Sequence, residues 1–446
     1  MSRTALADRL PEVLRTRNFA LYFTGQSLSI LGDAVVPVAL AFAVLDLGLG
    51  VTDLGLVLAA GIVPSVLFVL LGGVVADRIE RRRLMLGCDL VRCCSQAAQG
   101  VLLITGHTTL LSLVLLQLVW GTAAAFFRPA STGFVAEVVA SRQLPQANGL
   151  VGLSDNIAYT IGPALSGVLV GLFSPGSALI ADAATFAASA LALALTRAVR
   201  PAADPAHRQS APRNTVERAA EHAPSLTQSL LEGWKEFSSR TWLWSLVLWS
   251  AGYSLLALPS VLVLGPAVAK AHLGGAPSWA AIAACSGLGA VVGGVVALRY
   301  RPRYLLRATF VPLGFYGLQL VALAVPTGTA VIAVAALLGG IGVAMFNVYF
   351  YTAIQQQIPL SLMSRVASYE WLGSTALLPV GQALIGPVAA ATSTSGVLLV
   401  AGGWMLVSPA ILYLIRSART LQAVGDEPEP WADRQNRPTC VPERTG

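Results

Sequence analysis

Charge is what this chain of 446 residues has least of: Asp, Glu, Lys and Arg together make up 11% of it. A soluble domain carries roughly 25%, so an ordinary water-facing fold is excluded. Lysine is almost missing, with Lys235 and Lys270 alone among 29 basic residues. Neither follows a glycine as a phosphate-binding loop requires, which excludes ATP-driven transport. The four histidines, His107, His207, His222 and His272, all fall between apolar runs, so a proton carrier inside a membrane must be a carboxylate. Cys88, Cys93, Cys94, Cys285 and Cys440 have no paired ligand spacing and read as small packing residues, with no metal or cofactor expected. Neither H-E-x-x-H nor G-x-S-x-G occurs, which counts against a polytopic membrane enzyme, the alternative from another functional class.

Apolar residues fill the space left, at 55% of the chain and a mean hydropathy of +0.69. Twelve membrane helices of roughly 20 residues would use about 240 residues, close to the apolar total. The expected spans are 18–45, 54–76, 84–105, 109–133, 148–172, 177–197, 242–266, 278–298, 305–325, 328–352, 366–391 and 396–416. The first is too long for a cleavable signal of about 7–15 apolar residues and should be retained. Residues 1–17 are expected to form a polar cytoplasmic N-terminal segment, 18–197 a first six-helix bundle and 241–416 a second. Between them 198–240 reads as a linker, ending in a helix that lies on the membrane surface on Leu226, Leu230, Leu231, Trp234 and Phe237. The Pro-rich, charged segment 417–446 is expected to be a disordered tail.

The net charge of +7 suggests orientation rather than nucleic acid, because the arginines sit between apolar runs. Arg78, Arg81 to Arg83, the cluster in 198–240, Arg299, Arg301, Arg303 and Arg307 all fall in alternate loops. Of the basic residues, only Lys270 falls in the opposite loops (46–53, 106–108, 173–176, 267–277, 326–327, 392–395). Twelve spans with both termini cytoplasmic follow from the positive-inside rule. The halves also repeat: a shift of 219 residues puts Gly121, Ala125 and Phe127 on Gly340, Ala344 and Phe346. The same shift aligns Gly162, Ala164, Leu165 and Gly167 with Gly381, Ala383, Leu384 and Gly386. Two six-helix halves related by a parallel repeat suit an all-α two-bundle transporter.

The loop after span two, Gly73-Val-Val-Ala-Asp77-Arg78-Ile-Glu80-Arg81-Arg82, resembles the G-x-x-x-D-R-x-G-R-R/K signature of the major facilitator superfamily, with Glu80 in place of the second glycine. Arg17-Asn18-Phe19, Gly25-Gln26, Gly32-Asp33 and Asp89-Leu-Val-Arg92 look like its drug- and siderophore-exporter branch. The resemblance covers 17–416 and implies a monomeric secondary transporter of the bacterial inner membrane, working by alternating access on a small amphipathic compound and protons within the lipid bilayer. It also implies that Asp77 faces the start of span eleven near Ser364-Arg365, and that Arg81 pairs with Glu137, as a gate between bundles. Independently, a tight turn calls for Gly73, and a carboxylate such as Asp77 suits a helix N-terminus.

Ionisable groups inside a membrane are functional candidates by default. Asp33 lies about fifteen residues into span one, roughly 22 Å along the helix, and is the leading proton or cation site; Asp155 and Glu370 could join a relay. Asp182, near the outer interface, reads as solvated. Asp89 and Arg92 read as a structural pair three residues apart. Arg128, before Pro129, could meet an anionic substrate, close a gate or pack with Glu137. Span five, Ala158 to Gly167, is similar to the antiporter signature G-x-x-x-G-P-x-x-G-G, and Gly162, Pro163 and Gly167 favour a kink at a moving interface. Gln117 stands where many proton-driven drug exporters have arginine. Spans one, four, seven and ten line the cavity in this family, which offers Gln26, Asp33, Gln117, Trp120, Arg128, Trp249, Tyr253, Asn347 and Tyr351 for an amphipathic ligand. Trp242 and Trp244 read as interface anchors. A proton-coupled efflux antiporter is the leading expectation, and an uptake symporter for a small metabolite the alternative.

Overall fold

The computed structural model describes residues 12–196, 226–300, 302–326 and 328–422. These residues are mostly helical, as a bilayer demands of any segment that must satisfy its own backbone hydrogen bonds. The first half contains α1 (Arg17–Asp46), α2 (Val51–Arg78), α3 (Arg81–Thr105), α4 (Leu110–Val138), α5 (Leu144–Leu172) and α6 (Pro175–Leu195). The amphipathic α7 (Leu226–Ser239) leads into the second half. That half contains α8 (Thr241–Gly252), α9 (Gly265–His272), α10 (Ala276–Arg299), α11 (Phe310–Ala324), α12 (Thr329–Gln357), α13 (Leu360–Thr375), α14 (Leu378–Ala391), α15 (Thr394–Leu414) and the short α16 (Arg416–Arg419).

Among the described residues, ten helical runs are long and apolar enough to cross a membrane, not the twelve expected. Spans 84–105 and 148–172 are helical (α3 and α5) but fall outside that set. For α3 the reason is its polar face, which buries Asp89, Arg92, Ser95, Gln96 and Gln99. Two runs are single spans built in pieces. Residues Thr241–His272 are continuous through π-helical turns at Tyr253–Ala257 and Ser260–Leu264 on either side of Pro259. Pro259 has no N–H to donate, and the wider turns accommodate that loss. The helix reaches His272, so Lys270 sits on its last turn rather than in the loop 267–277. In the other run, α13 and α14 meet at Ala376–Leu377, with Pro379 opening α14.

Several helices start at the arginine-poor end, and their caps are written locally. Thr109 Oγ1 accepts from Ser112 N at 3.2 Å for α4, Ser174 Oγ from Ser177 N at 3.1 Å for α6, and Ser393 Oγ from Gly396 N at 3.0 Å for α15. Each satisfies an orphan donor at a helix start.

The sequence repeat is a repeat of contacts. Gly121 packs on Gly61 of α2, and Gly340 on Ser286 of α10. Gly162 sits against Ala34 of α1, and Gly381 against Leu255 and Pro259 of the α8–α9 run. Gly167 meets Ala280 of α10, and Gly386 meets Thr52 of α2. The last pair joins the two halves, α5 on α10 and α14 on α2. A Cβ at any of these positions would collide with the partner helix, so the missing side chain fixes the approach. Gly171 on Pro277 and Gly55 on the Gln382 backbone add to the same seam. Lys270 Nζ also reaches Asp46 Oδ1 at 2.5 Å across it. All these contacts lie toward the arginine-poor end. Nearer the other end, Arg128, Asn347, Tyr351 and Leu372 are exposed.

The expected surface helix, α7, is docked on α13. Glu232 pairs with Arg365 at 2.5 Å, Phe237 is buried, and Trp234 meets the edge of Tyr369 at 5.6 Å between centroids. Leu231 and Trp234 stay exposed. The side chains of Leu226 and Leu230 lie outside the described residues, as do residues 1–11 and the tail from 423. Trp244 is exposed, but Trp242 is buried, which corrects its reading as an interface anchor.

Candidate functional site

Helices α1, α3 and α6 bring three carboxylates to one guanidinium inside the first half. Arg92 pairs with Asp89 on its own helix, and its Nη1 lies 3.6 Å from Asp33 Oδ2 on α1. Asp89 also accepts from Ser189 Oγ of α6 at 2.7 Å. The guanidinium is held between the rings of Phe127 and Phe186, at 4.1 and 4.3 Å from their centroids, where cation–π attraction favours a desolvated cation. Asp182 of α6 is 1% exposed, which corrects its reading as a solvated residue at the interface. Its Oδ1 lies against Gly32, where any Cβ would displace it. Its Oδ2 has no described hydrogen-bond partner, nor has Asp33 Oδ1. The glycine before Asp33 therefore lets a second carboxyl stand beside it.

This arrangement is unbalanced. Separating a charge from water is expensive unless an opposite charge answers it, and here three acids share Arg92, with Arg128 as a further cation acting on Asp33. Asp33 is the member with an outlet: its side chain is 21% exposed, against 0% for Asp89 and 4% for Arg92. Arg128 stands within electrostatic range of both Asp33 and Asp155. Three glutamines continue the polar interior: Gln99 Nε2 donates to Gln96 Oε1 at 3.2 Å and Gln117 Nε2 to Gln99 Oε1 at 3.3 Å. Gln117 is thus buried between α3 and α4, not on the cavity wall as expected. It occupies the place of the missing arginine as one end of a neutral chain.

In the second half the matching region is aromatic. Trp249 stacks between Tyr253 and Trp404, at 6.0 and 5.7 Å, packs on Phe346 at 5.2 Å, and donates from Nε1 to Ser408 Oγ at 2.8 Å. Phe346 is the repeat partner of Phe127, so the ring that supports Arg92 in one half supports an indole in the other. Trp249 is buried core, which corrects its placement on the cavity wall. Tyr253 is half-buried and meets the edge of Tyr316 at 5.3 Å.

Of the remaining cavity candidates, Asn347 and Arg128 are exposed and occupy equivalent repeat positions on α12 and α4. Tyr351 is 48% exposed. Gln26 and Trp120 are half-buried, with Gln26 Oε1 and Trp120 Nε1 lacking a described partner. Glu370 is buried, accepts from Ser374 Oγ at 3.1 Å and lies close to Tyr351. Asp155 is half-buried, with Oδ1 unpartnered among the described residues.

At the arginine-rich end, Arg81 Nη1 donates to Gly133 O at 3.2 Å and to Glu137 Oε1 at 3.0 Å. Glu137 is therefore taken by Arg81, and Arg128 does not pack with it. Gly133, which sequence reasoning missed, has no room for a Cβ beside this guanidinium. Arg82 donates to the last carbonyls of α6, Leu193 O at 2.8 Å and Ala194 O at 2.6 Å. Arg78 is exposed. Gly73 is inside α2 with open space around it, so it serves no tight turn; its neighbour Gly72 makes the close approach, to Ala125 of α4. The side chains of Asp77 and Ser364 lie outside the described residues. Pro163 lies within an unbroken α5, and Ser166 Oγ donates to Val35 O at 2.7 Å beside the Gly162 contact.

Repeated bundles, broken helices at their seam and charge buried within the first half are the marks of a multi-pass membrane protein of the transporter class. Residues 22–375 match the family model described as Major Facilitator Superfamily. The chain belongs to that superfamily. Its sequence is similar to macrolide efflux protein A of Streptococcus pyogenes, 19% identical over 81% of this chain and 87% of that protein. It is also similar to the multidrug efflux pump Tap of Mycolicibacterium fortuitum, at 27% identity over 37% of this chain and 42% of Tap. Among solved structures, the nucleoside transporter NupG superposes with a TM-score of 0.68 at 13% identity, covering 89% of this chain and all of NupG. An inward-facing bacterial homologue of the lysosomal transporter Spinster gives 0.67 at 14% identity, over 92% of this chain and 98% of that one.

Proposed function

We propose that this chain is a proton-coupled antiporter that exports a small amphipathic organic compound from a bacterial cell across the inner membrane. It acts as a monomer with both termini in the cytoplasm. The observation that carries the coupling is the charge imbalance around Arg92: Asp33, the partly exposed member of the cluster, is the group through which a proton enters. The direction of transport rests on the efflux relatives, and the orientation on the arginine distribution. With the arginine-rich end inside, the described contacts belong to a state closed to the outside.

In this reading Gln26, Trp120, Arg128, Asn347 and Tyr351 face the compound, and Asp155 and Glu370 pass protons toward the cytoplasm. The segment from Gly73 to Arg82, with Asp77 and Arg78, acts at the inner gate, while the Arg81–Glu137 pair, formed within the first half in this state, braces α3 against α4 beside it. Protonation of Asp33 weakens its hold on Arg92, and that change biases the two bundle orientations. A compound panel tested on an efflux-deficient host identifies the substrate. Expression should lower accumulation of one class of compound, and Asp33→Asn or a protonophore should abolish the effect. Cells that instead concentrate the compound would make the protein an uptake symporter.

A further inference from the structure

Two apolar grooves on the membrane-facing surface look alike but end differently. One, of about 640 Å³, lies between α3 and α4, with Arg83 at its arginine-rich mouth. That arginine is paired with Glu80 at 2.6 Å, so the mouth is neutralised. The other, of about 710 Å³, lies between α11 and α15 and is lined by Val311, Gly314, Leu318, Leu406, Ile411 and Leu414 among others. Val311 and Leu414 on its walls are 74% and 76% exposed, as expected of side chains turned to lipid.

The mouth of this second groove is strongly cationic. Tyr413 closes it, edge-on to Phe310 at 6.2 Å. Arg307 and Arg419 approach the Tyr413 ring from two different segments, at 5.8 and 5.3 Å from its centroid. A backbone bridge between Tyr304 and Gln422 holds those segments side by side, and Arg416 lies on the same short helix as Arg419. None of these three arginines pairs with a described acid, unlike Arg83. Two guanidinium groups gathered around one ring offer a phosphate several charge-assisted donors at once.

We infer that the groove between α11 and α15 is a binding site for one anionic glycerophospholipid, its phosphate between Arg307 and Arg419 and an acyl chain along the apolar walls. Basic mouths between membrane helices suit such headgroups, and the apolar walls set a lipid apart from a soluble phosphate. A competitor is encoded nearby, since Asp426, Glu427 and Glu429 follow Gln422 in the sequence. That acidic run supplies no acyl chain to fill the groove, so the lipid is favoured.

Native mass spectrometry of the full chain, purified in mild detergent and mixed with phosphatidylglycerol or phosphatidylcholine, tests this. The wild-type protein should retain phosphatidylglycerol in preference. Arg307→Gln with Arg419→Gln should lower that retention by about thirtyfold, from roughly fivefold for each arginine near a membrane surface. Arg83→Gln should leave it unchanged, and Arg307→Lys with Arg419→Lys should keep most of it, which separates lost charge from a misfolded variant. Inorganic phosphate at the lipid concentration should not compete. Equal retention in the Gln variant and the wild type would overturn the site. So would binding that appears only after truncation at Gln422, which would make the acidic run the occupant.

Discussion

Arg92 is the residue on which the first half depends. It answers Asp89 and approaches Asp33, and two phenylalanine rings leave it nowhere to turn. Removing one partner of a buried ion pair costs about 3–5 kcal/mol, so Arg92→Leu should lower the thermal midpoint of the purified protein sharply. Arg92→Leu with Asp89→Leu should recover part of that loss, because the uncompensated charge goes with it; no recovery would mean that the pair is not a closed unit. Asp33→Asn should behave differently: little change in stability, and proton-driven transport in proteoliposomes reduced by an order of magnitude or more. Asp33, Asp89 and Arg92 were all legible in the sequence, because charge within an apolar run stands out. The position of Asp182 was not. Only the packing of α6 on Gly32 turns a residue near the end of a span into a neighbour of Asp33, and spacing along one helix carries no information about that.

Among elements, α5 and α14 make the seam between halves, through Gly167 on Ala280 and Gly386 on Thr52. Gly167→Val or Gly386→Val should force the seam apart. The expected outcome is a shift toward a state open at the arginine-poor end, seen as longer distances between spin labels placed on α2 and α14. Unchanged distances would show that the seam tolerates a branched side chain there. The repeat that exposed these glycines is visible in the sequence because both halves solve the same packing problem at the same offset. The breaks are harder to see. Pro259 announces an irregular turn, yet the paired π-turns around it and the continuation to His272 depend on neighbours such as Gly381. Likewise α3 hides its membrane span behind a polar face whose partners are on other helices.

For the whole molecule, the closure at the arginine-poor end includes, among the described residues, the Lys270–Asp46 ion pair and the glycine contacts of α5 and α14. Asp46→Cys with Lys270→Cys, in a Cys94→Ser background because Cys94 is exposed, should be bridged by a short reducible bis-methanethiosulfonate cross-linker, since a lysine–aspartate pair spans more than a direct disulfide can. Transport should stop when the bridge forms and return on reduction; transport that continues with the bridge intact would exclude alternating access through this end. The pair itself is open to water, with side-chain exposures of 39% for Lys270 and 53% for Asp46. Such pairs are worth about 0.2–1 kcal/mol and weaken as ions screen them. In the proposed orientation, then, the salinity of the surrounding medium acts as a dial on the resting protein: brine loosens the lid facing it, and fresh water tightens it.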